Sequence, residues 1–125
     1  MTKWIGVDLD GTLARTTQGD GVKIGQPIPA MVARVANWLR QGKRVRVLTA
    51  RRLTSAQTTE IRRFLSNNGL ADCEITNQKD NDMVALLDDK AIRVIRNKGQ
   101  ICSGCRDHAE AFSDQSDGRQ ILTDC

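Results

Sequence analysis

Short apolar runs alternate with longer segments of helical spacing along this chain. The runs at 4–8, 45–50, 73–76, 83–87 and 91–95 are brief, bounded by turn residues, and predict five β-strands. Between them, a helix is predicted from about Pro29 to Gln41, where Met31, Val32, Val35, Ala36 and Leu39 form one apolar stripe. A second is predicted from about Ser55 to Asn68-Gly69, with Ile61, Phe64 and Leu65 as its buried face. Pro29 suits a first helical turn, Gly42 and Gly69 suit helix stops, and Thr54 with Gln57 has capping-box spacing. Strand and helix in alternation predict an α/β fold, a parallel sheet with helices packed on its faces. Residues 14–25 are polar and carry three glycines, so they read as a loop or small flap. Beyond Gly99 the periodicity fades into a short helix at 108–112 and a loose polar stretch at 113–118.

A chain of 125 residues suits one compact domain that buries a core without staples. With two Phe, two Trp and no Tyr, that core must be aliphatic. No signal-peptide pattern opens the chain and no apolar run could span a bilayer, so a cytoplasmic protein without membrane contact is expected. In that compartment the four cysteines are expected as free thiols. Cys102-Ser103-Gly104-Cys105 has the spacing of half a zinc site, which would need His108 and the terminal Cys125 to complete it. The net charge of +4 sits in the first half, where residues 1–52 hold ten Lys or Arg against three Asp. A balance this modest reads as solvated surface rather than a nucleic-acid footprint.

The chemistry begins where the first strand ends. Asp8 and Asp10 are two apart on an extended chain and are expected on one side of it, with Gly11 allowing the turn. Two carboxylates placed together repel unless a cation or a shared proton compensates. A plain Asp-Gly turn would account for the motif alone, but a calcium loop would need an acid or amide at position 12, where Thr12 stands. Ligands of open parallel sheets sit beyond the carboxyl ends of the strands. There the chain places Asp8 and Asp10, then Thr49 in Thr49-Ala50-Arg51, then Lys79, then Asp88-Asp89.

In these four motifs, taken in order, residues 4–98 resemble the haloacid dehalogenase-like superfamily of phosphohydrolases. The resemblance implies a three-layer α/β/α Rossmann-like fold with a central parallel sheet. It also implies a catalytic core at 1–99, with 100–125 as an extension. Asp8 would be the nucleophile that forms an aspartyl-phosphate, and Asp10 the general acid and base. Thr49 and Lys79 would contact the phosphoryl group. Mg²⁺ would be held by Asp8, the Asp10 backbone carbonyl and Asp88 or Asp89. Gly11, Thr12, Ala50 and Arg51 would line the substrate side, with Thr12 bonded to Asp10 and the Arg51 fork suited to phosphate.

The stretches at 14–28 and 77–82 are too short for a cap domain, so a capless enzyme is expected. An open site fits the phosphate of a large molecule, such as a nucleic-acid end, or a nucleotide, or else a second copy acting as a lid. The rival readings are a phosphoacceptor domain, which would carry its nucleophile on a middle strand, and a non-catalytic scaffold of the same fold.

Overall fold

Six elements build the first part of the molecule: β1 (Trp4–Val7), α1 (Pro29–Arg40), β2 (Val45–Leu48), α2 (Ser55–Asn67), β3 (Glu74–Thr76) and β4 (Met83–Leu87). The structure is a computed structural model and describes residues 3–18, 21–105 and 121–122. The four strands pair in parallel in the order β3-β2-β1-β4, with Val7 opposite Val47 on one side and Leu87 on the other. The result is the expected small α/β fold, a parallel sheet with two helices. β1 ends at Val7 and β2 at Leu48, so Asp8 and Thr49 are the first residues past their strands rather than members of them.

Local chemistry sets the helix ends. Pro29 occupies the first turn of α1, where its missing N–H would have had no partner. Thr54 caps α2 by accepting the Gln57 N–H at 3.1 Å. At its far end Gly69 takes φ 73, and the Leu70 N–H returns to the Leu65 carbonyl at 2.8 Å. Stepping β1 to β2 to β3 in one direction through right-handed crossovers puts both helices on the same face. There Val35, Ile61, Phe64 and Leu65 bury against Val7, Val45 and Val47 in one cluster. The core is mainly aliphatic, with Phe64 and Cys73 among its buried members and Trp38 packed against it.

The opposite face is held by charge. Side chains alternate across a strand, so Arg44, Arg46 and Trp4 point away from the helices. The Arg46 guanidinium lies 4.9 Å from the centre of the Trp4 ring, and Trp4 is 1% exposed. Arg44 forks onto Glu74 at 2.6 and 2.9 Å. The link 77–82 carries the chain from β3 at one edge of the sheet to β4 at the other. It is pinned on the way by Asp80, which accepts the Trp4 indole N–H at 2.8 Å and faces Arg46 at 3.7 Å.

A second compact unit, Lys90–Cys125, follows the first, Met1–Asp89. The strand expected at 91–95 is absent. Its residues fold back on 100–102 instead, with the Ile95 N–H bonded to the Gln100 carbonyl and the Cys102 N–H to that of Arg93. The turn between them, with Asn97 at φ 63, reverses the apolar run before it can pair with a sheet. Two-residue strands β5 (Ile101–Cys102) and β6 (Ile121–Leu122) pair in parallel. The free-thiol expectation holds for Cys73 and Cys105 but not for Cys102, which is disulfide-bonded. His108, Cys125 and the helix expected at 108–112 lie outside the described residues. Among the described residues no helix is long and apolar enough to cross a membrane.

Candidate functional site

The turn after β1 separates the two aspartates that the sequence places together. Asp8 stays on the ladder, its N–H bonded to the Leu87 carbonyl at 2.9 Å. The chain then coils tightly, the Leu9 carbonyl accepting from both Leu13 and Ala14, while the fully buried Leu9 and Leu13 anchor the loop. Gly11 takes φ 89, and a Cβ there would lie 2.5 Å from an Asp89 carboxylate oxygen. Glycine is therefore required twice at this position, by conformation and by space. The Asp8 and Asp10 side chains, expected as one pair, end up with different partners.

Asp8 joins the acids that follow β4. Asp8, Asp88 and Asp89 each offer a carboxylate oxygen, and these lie within 4.8 Å of one another. Burial pushes the Asp8 carboxyl up to about 7, helped by the negative charge of Asp88 and a hydrogen bond with Asp89. Asp89 is itself fixed by Thr12, whose hydroxyl donates to the Asp89 carboxylate at 3.2 Å and accepts the Asp89 N–H at 3.0 Å. Thr12, expected to bond Asp10, bonds Asp89 instead, because the turn carries Thr12 toward β4. Three hard oxygen donors with surplus negative charge fit Mg²⁺, whose charge would offset their repulsion.

Asp10 meets Arg51. The guanidinium grips it bidentately, Nε and Nη2 each 2.7 Å from one carboxylate oxygen. Arg51 is placed by Thr49, which is 2% exposed and accepts the Arg51 N–H at 3.0 Å, while the Thr49 N–H bonds the Thr76 carbonyl across to β3. The Thr49 hydroxyl accepts in that bond and keeps its proton to donate. Ala50 is exposed between them. No hydrogen bond or ion pair among the described residues joins the exposed Lys79 to the acids, and it stands in the 77–82 link beside the Asp80 that is bonded to Trp4.

No protein-family model, curated protein or solved structure matches this chain. The site must be read from its own atoms. Sequence reasoning missed Gln57, a buried polar side chain whose amide donates to the Val22 carbonyl at 3.0 Å and whose oxygen accepts from Arg51 at 3.1 Å. The capping-box spacing pointed elsewhere, since there the Gln57 side chain would reach back to the cap rather than outward. It also missed the carbonyls of 21–23 as partners of Arg51, for which no side-chain signal exists.

Proposed function

We propose that this chain is a Mg²⁺-dependent phosphomonoesterase of the haloacid dehalogenase-like type. We read its sheet as the core of the three-layer Rossmann-like fold, of which the described helices form the layer on one face only, with the catalytic residues in 1–99. One observation carries the reading: Asp8, Asp88 and Asp89 converge beyond the carboxyl ends of two adjacent parallel strands, with too much negative charge for the acids alone. Mg²⁺ bound to Asp8, Asp88 and Asp89 would supply positive charge to the phosphoryl oxygens and keep Asp8 ionised. An Asp8 carboxylate oxygen attacks phosphorus as the phosphorus–oxygen bond to the leaving group breaks, and Asp10 gives that oxygen its proton. Water then attacks the aspartyl-phosphate, its proton passes to Asp10, and inorganic phosphate leaves with Asp8 restored. Thr49, its hydroxyl proton uncommitted, donates to a phosphoryl oxygen. Lys79 would add positive charge to the phosphoryl group. The capless site suits the phosphate of a nucleotide or of a nucleic-acid end, with a second copy as the alternative cover.

The deciding experiment is phosphate release from p-nitrophenyl phosphate, nucleotides and 5′- or 3′-phosphorylated oligonucleotides, with Mg²⁺ and with EDTA. Turnover that needs the metal and falls at least ~1,000-fold in both Asp8→Asn and Asp88→Asn is the expected result. Wild type indistinguishable from Asp8→Asn on every substrate would leave the fold as a binding scaffold.

A further inference from the structure

Arg51 has no donor left for a ligand. A guanidinium carries five N–H groups. Nε donates to one Asp10 oxygen, and Nη2 donates to the other and to the Lys23 carbonyl at 3.0 Å. Nη1 faces the carbonyls of Gly21 and Val22, both at 2.9 Å, and the Gln57 amide oxygen at 3.1 Å. At least six acceptors among the described residues thus share five donors, and the Arg51 side chain is only 12% exposed. Gln57 completes the arrangement. It is 3% exposed, stands in the first turn of α2, and holds the Val22 carbonyl with its own amide. The 21–23 loop is therefore tied to a rigid helix and to Asp10 through one side chain.

We propose that Arg51 is a positioning residue rather than a phosphate ligand, and that Arg51 with Gln57 forms a latch fixing both Asp10 and the 21–23 loop. In catalysis the inference rests on the reading of Asp10 as acid and base; the latch itself does not. Moving Arg51 onto a substrate phosphate would take a donor from three carbonyls and from Asp10 at once, whereas leaving it in place holds Asp10 in a single orientation beside the phosphoryl site. A lysine at this position keeps the charge and loses the fork, so it separates the two roles.

Two measurements on the full chain decide the matter. In hydrogen–deuterium exchange read by mass spectrometry, peptides covering 14–28 should exchange at least ~10-fold faster in Arg51→Lys, Gln57→Leu and Asp10→Asn. Unchanged exchange in Asp10→Asn, which preserves the side-chain shape and serves even if Arg51→Lys fails to fold, overturns the latch. In steady-state kinetics Arg51→Lys should lower kcat about 100-fold while KM stays within about threefold. A tenfold rise in KM with kcat retained would make Arg51 a phosphate ligand and overturn the proposal. If wild type turns over no phosphate substrate, the phosphatase reading fails alone, and the exchange data still judge the latch.

Discussion

Two sets of carboxylates belong to this sheet, and their neighbours shift them in opposite directions. On the face away from the helices, Glu74 lies in the Arg44 fork and Asp80 takes the Trp4 indole N–H, and these bonds hold both carboxyls below their usual range. Past the carboxyl ends of β1 and β4, Asp8 is pushed up to about 7 among acids. Each negative group on the first surface has a cation or a donor of its own, whereas the second surface gathers charge and leaves it in excess. The lattice is built for the fold, and the cluster is built against it.

The comparison breaks most sharply at Gly11. Gly11→Ala forces a side chain into the left-handed region and onto the Asp89 carboxylate, and should cost about 2–4 kcal/mol in urea unfolding. A loss below about 1 kcal/mol would mean that the turn yields and the cluster is not rigidly held.

Next comes pH, where the two sets should show slopes of opposite sign. The Asp8 carboxyl rises from 3.8 unfolded to about 7 folded, so the folded protein binds more protons between these values. Its contribution is present in full below about pH 4 and is lost as pH climbs to about 7. Glu74 and Asp80, being lowered, stabilise the fold above their ordinary values of 4.5 and 3.8, and that contribution is lost as pH falls. Thermal unfolding in EDTA should therefore show Asp8→Asn gaining on wild type as pH rises from 4 to 7, and Mg²⁺ should close the gap. Parallel curves would deny Asp8 its shifted state.

Smaller still is the cost of opening the lattice. Glu74→Gln removes a half-exposed ion pair and should change stability by less than about 1 kcal/mol, an effect that fades in high salt. The smallest change is chemical rather than energetic. Burial pushes the Cys73 thiol up to about 12, so in the native protein it should resist iodoacetamide at pH 8 and react only on unfolding. Rapid native labelling of Cys73, mapped by mass spectrometry, would contradict its burial.

What the sequence made legible follows from where the physics is local. Pro29, the Thr54 cap and the Gly69 stop act within a few residues, and both helices lie close to their expected ends. Asp8 and Asp88-Asp89 could be placed because each follows an apolar strand directly, and parallel pairing then brings the two strand ends together. Thr12 could not be given its true partner, because Asp89 becomes its neighbour only through the β1–β4 pairing. The apolar run at 91–95 resembles a strand in composition, yet its register is set by the turn at Asn97. Backbone carbonyls such as those of 21–23 look the same in every residue, so the partners of Arg51 left no trace in the sequence.

The link 77–82 that crosses the charged face acts as a ruler. Leaving β3 at its carboxyl end and entering β4 at its amino end, it must traverse three strand spacings, about 14 Å, and return about one strand length, some 15 Å. The combined path of about 21 Å nearly matches the reach of the seven steps from Thr76 to Met83, at most about 25 Å. Removing one residue would leave the strap taut, and removing two would drag β4 out of register with β1. Because a one-residue slip turns every side chain of a strand to the other face, the length of a segment with no chemistry of its own determines whether Asp88 and Asp89 ever meet Asp8.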